Sequence, residues 1–128
     1  MPYLFKKHFT VQEARGLLPR IRQWLHELDQ VRHRLNHFDQ RFGNLLSGGS
    51  DLGGESVNEW VKAIARFKEL AGEFEKRHIQ IKDLERGLID FPSLMDGKEI
   101  FLCWERDDDD IEYWHDLDSG FAGRERLK

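Results

Sequence analysis

The feature that most constrains the fold is a long apolar repeat in the first third of the chain. Apolar residues recur at alternating steps of three and four, at Ala14, Leu17, Ile21, Trp24, Leu28, Val31, Leu35, Phe38, Phe42 and Leu45. A period near 3.5 residues is that of a coiled-coil helix. Leu18 and Leu25 widen the stripe toward the breadth that a globular core requires. The repeat therefore predicts one long amphipathic helix.

The two ends of this repeat carry their own signals. Thr10 and Glu13 form a capping-box pattern, in which each side chain satisfies a free backbone N–H at the start of a helix. The spacing predicts a helix from about residue 11 to residue 42, bent near Pro19, because proline removes one helical hydrogen bond. Residues 43–54 contain five glycines and two serines. Such a composition favours a flexible connector over a helix.

A second repeat follows the connector, at Val57, Trp60, Ile64, Phe67, Ala71, Phe74 and His78. It predicts a second helix from about residue 55 to residue 78. Two amphipathic helices joined by a flexible loop can pack antiparallel as a hairpin. Because the first helix is longer, part of its stripe has no partner on the second. We expect the C-terminal half or a second copy of the chain to cover it, and we expect a homodimer.

The pattern changes to a period of two after the second helix, as expected for strands. The predicted strands cover residues 79–82, 88–91, 100–104 and 111–115. Pro92 should end the second strand because proline has no N–H to donate. Asp96 and Gly97 form a strong type I′ hairpin signal. The sequence therefore predicts an α+β class and a single domain over residues 1–128. It comprises a helical hairpin followed by a three- to four-stranded antiparallel sheet.

Four segments of the C-terminal half resemble the signature of the domain of unknown function 2203 family. They are residues 82–92, Leu102–Trp104, Tyr113–His115 and Gly120–Arg124. The resemblance extends to the helix start at Phe9–Ala14, and so spans nearly the whole chain. One departure is the turn at Arg106, which is followed by four aspartates where members usually have a glycine. The resemblance implies an uncharacterised prokaryotic protein and no particular activity.

Composition and charge limit the functional classes. A single cysteine excludes a disulfide framework and indicates a reducing compartment. No apolar run approaches the roughly 20 residues of a membrane span, and the first residues lack a signal-peptide pattern. We therefore expect a cytoplasmic protein without a membrane partner. Residues 1–78 carry a net charge of +3 and residues 79–128 a net charge of −7, which argues against nucleic-acid binding.

The C-terminal half contains most of the candidate functional residues. Candidates for acid–base chemistry are Asp83, Asp90 and His115; candidates for anion or ligand binding are Arg86, Arg124, Trp104 and Trp114; candidates for a divalent metal are His115, Asp116 and Asp118. Each set has a structural alternative. The carboxylates can shape turns, the arginines can pair with carboxylates, and the tryptophans can fill the core.

Two further features are weaker. His33 and His37 have the spacing of a shared metal site, but Arg34 stands where the zinc-protease pattern needs glutamate. These histidines and His26 lie away from the apolar stripe and are expected in solvent. Cys103 has apolar neighbours and is expected to be a buried structural thiol.

No complete catalytic or nucleotide-binding motif occurs in the sequence, and no cofactor is predicted. The leading hypothesis is a non-enzymatic interaction or assembly module, homodimeric through the remaining apolar stripe, with a further protein partner possible. The alternative is a small enzyme or a ligand- or metal-binding protein, with an Asp/His/Arg site at the edge of the sheet.

Overall fold

The computed structural model describes the backbone of residues 3–47 and 54–128, and the side chains of residues 3–38 and 57–128. Two helices precede a five-stranded antiparallel sheet, which confirms the predicted α+β class. The chain forms two compact units. One contains the residues up to Gln23 together with Phe74–Lys128, and the other contains Trp24–Glu73. The helices α1 (Val11–Ser47) and α2 (Gly54–Glu75) each contribute to both units.

The predicted helices are confirmed, with different ends. Thr10 and Glu13 form the capping box: the Glu13 N–H donates to the Thr10 hydroxyl and the Thr10 N–H to the Glu13 carboxylate, both at 3.1 Å. Helix α1 continues five residues beyond Phe42. The predicted connector is therefore wrong for residues 43–47, because a single interior glycine costs a helix only about 1 kcal/mol. Residues 48–53 of that connector lie outside the described residues.

Helix α2 ends at Glu75, three residues before the predicted end. Among the helices of the described ranges, none is long and apolar enough to cross a lipid bilayer. The bend expected at Pro19, which lies inside α1, stays a prediction.

The unit of residues 24–73 is built from the apolar faces of both helices. Leu25, Leu28, Val31 and Phe38 of α1 are buried, as the repeat predicts for the last three. On α2, the predicted stripe is only half-buried at its centre, and the buried α2 residues of this unit are Ala63 and Leu70, each 1% exposed. The predicted stripe is therefore one residue late at Ile64 and Ala71, while Phe74 is buried as predicted. The apolar face is broader than a strict 3.5-residue stripe. The side chains of Phe42 and Leu45 lie outside the described residues.

An ion pair also joins the two helices of this unit. The Arg66 guanidinium contacts the Glu27 carboxylate and, at 3.1 Å, the Glu69 carboxylate. Both carboxylates raise the Arg66 pKa, with Glu27 the larger cause. The contact is exposed, so its effect on stability is small.

The sheet follows chain order, β1-β2-β3-β4-β5, with every neighbouring pair antiparallel. Its strands are β1 (Gln80–Asp83), β2 (Leu88–Met95), β3 (Lys98–Trp104), β4 (Tyr113–Asp116) and β5 (Glu125–Arg126). The predicted central strand is confirmed, because β3 is buried from Ile100 onward. The predicted turn is also confirmed, with φ of 54° at Asp96 and 80° at Gly97.

Two details of the sheet correct the sequence prediction. Within the described ranges the sheet has five strands rather than three or four, since β5 pairs with β4 through Tyr113 and Arg126. Strand β2 also continues through Pro92 instead of ending there. The Pro92 carbonyl accepts a hydrogen bond from the Phe9 N–H at 2.7 Å, beyond the stretch of β2 that pairs with β1. Because the N and C=O of a strand residue face the same neighbour, the missing N–H of Pro92 leaves the β2–β3 ladder intact.

Candidate functional site

Three polar side chains meet on one face of the sheet. Asp90 of β2 lies directly opposite Cys103 of β3, and His115 of β4 lies opposite Phe101, two residues from Cys103. Asp90 and His115 are 2% exposed and Cys103 is 0% exposed. A carboxylate oxygen, the Cys103 Sγ and a ring nitrogen of His115 all lie within 4.8 Å of one another. The three neighbouring strands thus hold a carboxylate, a thiol and an imidazole together in the interior.

The hydrogen bonds of His115 define its tautomer. Its Nδ1 lies 2.7 Å from the backbone carbonyl oxygen of Asp116. Because a carbonyl can only accept, Nδ1 carries a hydrogen and donates it. Its Nε2 lies 3.0 and 3.1 Å from the two carboxyl oxygens of Asp90. One further proton must lie between Nε2 and the carboxyl group, so the pair is electrically balanced whichever residue carries that proton.

Burial controls the protonation of the other two groups. Burial raises the pKa of the Asp90 carboxyl, and the interaction with His115 opposes this rise. Burial and the nearby Asp90 raise the pKa of the Cys103 thiol to about 12, against the opposing influence of Arg124. The thiol is therefore protonated at neutral pH, and Cys103 is not an activated nucleophile.

Arg124 lies at the edge of this cluster. Its guanidinium interacts with the Cys103 thiol, donates to the Asp108 carboxylate at 2.8 Å, and stacks on the Tyr113 ring at 3.8 Å from the centroid. Since Asp108 balances its charge and Tyr113 covers its face, Arg124 is held in one position. We call Asp90, Cys103 and His115 the buried cluster, with Arg124 as its neighbour.

The other acid and arginine candidates lie at the end of β1 and in the turn before β2. Asp83 accepts a hydrogen bond from the Arg86 N–H at 3.1 Å and so shapes the turn. The Arg86 side chain pairs with Glu105 at 2.8 Å and stacks on the Phe121 ring at 4.3 Å. Gly87 completes the turn with φ of +66°, where an added Cβ would lie 3.0 Å from Arg106 atoms. Asp83 and Arg86 therefore have structural contacts apart from the buried cluster.

The two tryptophan candidates differ in burial, and two of the metal candidates lie at the surface. Trp104 is 0% exposed, so the structure places it in the core rather than in an open ligand pocket. Trp114 is half-buried and lines an open cavity beside Met95 and Arg126. Asp116 pairs with Lys98 at 3.2 Å and Asp118 is exposed.

The structure does not bring the predicted metal set of His115, Asp116 and Asp118 together within the described residues. Within the described residues, the group that could hold an ion joins His115 to Asp90 and Cys103 instead. The reason is that Asp116 meets the imidazole through its backbone carbonyl, while its carboxylate points to Lys98. His26, His33 and His37 are exposed on α1, as expected.

Sequence reasoning missed Cys103 as part of a site, although a signal for it was present. A two-residue turn at Asp96–Gly97 fixes the register of the hairpin, and counting outward from it places Asp90 opposite Cys103. No similar count reaches His115, because the longer connection between β3 and β4 leaves the register open.

The comparisons with known proteins add a family. Residues 7–127 match the model of a family described as "Uncharacterized conserved protein (DUF2203)". No curated protein and no solved structure matches the chain. The four segments that resemble this family each supply one residue of the site, namely Asp90, Cys103, His115 and Arg124. The segments that carry the family resemblance therefore converge in space on the buried cluster and its neighbour.

Proposed function

We propose that this chain, which belongs to the DUF2203 family, binds a metal ion at its buried cluster. The proposal rests on the geometry of the cluster, because the family description names no activity. The ion is a divalent transition metal of the zinc class, and its ligands are Asp90, Cys103 and His115. The observation that carries this proposal is the convergence of three different ligand atoms within 4.8 Å on three neighbouring strands.

The donor set favours zinc over calcium or magnesium. Thiolate sulfur and imidazole nitrogen suit zinc and related metals, whereas the hard cations take oxygen ligands. The tautomer of His115 also fits, because Nδ1–H is already bonded to the Asp116 carbonyl and Nε2 is left to coordinate. Such a bond from the second ring nitrogen is the usual support for a metal-bound histidine.

The charges support binding in a buried position. A divalent ion with one thiolate, one carboxylate and a neutral imidazole has no net charge. It replaces the thiol proton and the proton between Asp90 and His115, so the cluster is neutral with and without the metal. A buried site of balanced charge avoids the large desolvation cost of an isolated ion. Because the protons must leave, binding should strengthen as pH rises.

The proposed role of the metal is to stabilise the sheet. Three protein ligands leave a fourth position, for water or for the second oxygen of Asp90. Exposure of 2% or less at each ligand leaves little access for a substrate. We therefore favour a non-enzymatic, cytoplasmic protein, in which a reducing environment keeps the single thiol available.

Titration of the metal-free protein with Co²⁺ and Zn²⁺ tests this proposal. We expect one equivalent to bind, and Co²⁺ to produce a thiolate-to-cobalt charge-transfer band, which must come from Cys103 because the chain has one cysteine. Free zinc at 100 times its Kd should raise the free energy of unfolding by about 2.7 kcal/mol. Cys103→Ser should abolish the band.

Asp118→Asn is the matched control, because Asp118 is exposed and lies outside the cluster. It should bind cobalt as the unaltered protein does. Absence of the charge-transfer band at saturating Co²⁺, or equal loss of binding in Asp118→Asn, would contradict a metal centre at the buried cluster.

A second candidate function is homodimeric assembly through a coiled-coil-like contact. The observation that favours it lies on α2, where Trp60, Ile64 and Phe67 are only half-buried and Val61 is 52% exposed. Neighbouring apolar side chains at a helix surface are typical of a protein interface. We propose that a second copy of the chain packs against this face of α2.

Sedimentation equilibrium of the unaltered chain and of Val61→Asp tests assembly. We expect a dimer at tens of micromolar and a dissociation constant about tenfold or more higher for Val61→Asp. Val61→Ala is the control for lost side-chain volume and should dimerise more tightly than Val61→Asp. A chain that stays monomeric at high micromolar concentration would remove this candidate.

A further inference from the structure

A second cavity lies apart from the buried cluster, in the unit that contains the sheet. It has a volume of about 420 Å³. Four cationic side chains line it, Lys6, Lys7, Lys76 and Arg77, with His78 beside them. Its apolar surface comes from half-buried Leu17 and from the exposed 5% of Phe9. The cavity is open to solvent, and its volume lies within the range of about 300–1,000 Å³ found for small-molecule sites. We call it the basic cavity.

The charge of the basic cavity is opposite to that of the whole chain. The chain has a net charge of −4, yet no acidic residue is among the described residues that line this cavity. Glu13 contacts its rim by pairing with Lys7 at 2.9 Å. The Lys7 ammonium also lies 5.0 Å from the centroid of the Phe9 ring. Basic and apolar groups are therefore interleaved within a single cavity.

Stabilisation of helix α2 explains only part of this arrangement. Cations just after a helix C-terminus interact favourably with its dipole, which accounts for Lys76 and Arg77. Lys6 and Lys7 belong to the N-terminal segment rather than to α2, and Lys7 pairs with Glu13 of α1. The concentration of charge thus arises from two separate parts of the chain that meet at the cavity.

The segment at the end of α2 is also fixed in an uncommon conformation. The Ile79 N–H bonds the Phe74 carbonyl and the His78 N–H bonds the Glu75 carbonyl, each at 3.0 Å, which is a Schellman motif. His78 occupies the left-handed position, with φ of 63°, where glycine is usual. Phe74 and Ile79 anchor this turn in the core, at 1% and 4% exposure. The rim is therefore built on a packed turn.

We propose that the basic cavity binds a small anionic amphiphile. Its carboxylate or phosphate group contacts the cationic rim formed by Lys6, Lys76 and Arg77. Its apolar portion lies against Leu17 and the small exposed part of Phe9. A ligand with only one of these parts would contact only half of the cavity lining. A simple inorganic anion would not contact the apolar surface, and a neutral lipid would not pair with the cations. This inference does not depend on a metal at the buried cluster.

Isothermal titration with four probes tests this inference. Octyl phosphate and octanoate, each below its critical micelle concentration, carry both groups; inorganic phosphate lacks the apolar part and 1-octanol lacks the charge. We expect saturable one-to-one binding of an amphiphilic anion, tighter than that of either partial probe. Tighter binding of octyl phosphate assigns a phosphate ligand, and tighter binding of octanoate assigns a carboxylate.

Charge reversal locates the binding. The double variant Lys6→Glu/Lys76→Glu should weaken binding of the preferred amphiphile by about tenfold. Lys68→Glu makes the same type of change at an exposed position of α2 and should bind normally. Circular dichroism verifies that both variants are folded, and Lys6→Glu alone serves if the double variant is not. Absence of saturable binding, equal affinity for a partial probe, or equal weakening by Lys68→Glu would overturn the inference.

Discussion

Replacement of Trp104 by alanine is expected to lower the free energy of unfolding by about 3–5 kcal/mol. The side chain is 0% exposed, so its removal leaves a large cavity in the core. Its indole Nε1–H also donates to the Asp108 carbonyl at 3.0 Å, and the Arg22 guanidinium lies 5.0 Å from the ring centroid. Urea denaturation of the metal-free protein, followed by circular dichroism, measures the loss.

Trp114 provides the matched control, since it is a tryptophan on the neighbouring strand β4 that is only half-buried. Trp114→Ala should cost about 1 kcal/mol, because less apolar area and no enclosed volume is lost. Equal costs for the two substitutions would contradict the assignment of Trp104 to the core. Such a result would also make both tryptophans candidates for a ligand-binding surface again.

The helices were largely predictable because their apolar period is a local property of the sequence. The start of α1 at Val11 followed from the Thr10–Glu13 capping box, which depends on neighbouring residues only. The helix end at Ser47 was missed because a single interior glycine costs a helix only about 1 kcal/mol, which is too little to end it. The phase of α2, in which Ala63 and Leu70 are most buried, depends on the facing helix and is not set by α2 alone.

The sheet was predictable where a turn fixed it. Asp96 and Gly97 specified both the β2–β3 hairpin and its register. Strand β5 has only two residues, Glu125–Arg126, and both are exposed, so no alternation marks it in the sequence. The passage of β2 through Pro92 depends on the contact with Phe9, which is distant in the chain. Local patterns therefore predict the central strands, whereas strand β5 and the continuation of β2 through Pro92 depend on contacts between distant parts of the chain.

The sequence predicted most residues of the candidate site but not how they are arranged in space. Asp90, His115 and Arg124 were all candidates, but nothing local to them showed that Cys103 lies between them. Cys103 was judged by its sequence neighbours, whereas its spatial neighbours come from β2, β4 and the segment after the short 3₁₀ helix Phe121–Gly123. A cysteine with apolar sequence neighbours can be either a structural thiol or a metal ligand. Only the strand register shows which side chains lie beside it in the folded protein.

Replacement of Asp90 by alanine is expected to lower the free energy of unfolding of the metal-free protein by about 3 kcal/mol. Asp90 is 2% exposed, and its removal leaves Nε2 of His115 buried without its partner. Asp90→Asn should cost under about 1 kcal/mol, because an amide N–H of asparagine can donate to Nε2 while Nδ1–H keeps its bond to Asp116. Urea denaturation in a chelating buffer measures both variants.

The same pair of substitutions separates a structural pair from a metal centre. Asparagine preserves the hydrogen bond but supplies a poor ligand, since metal-binding oxygens in such sites are carboxylates. Asp90→Asn should therefore fold nearly as stably as the unaltered chain yet lose most of the stabilisation that zinc provides. If Asp90→Asn instead keeps the full response to zinc, the carboxylate is not a ligand. If it costs as much as Asp90→Ala without metal, the negative charge of Asp90, rather than its hydrogen bond, holds His115 in place.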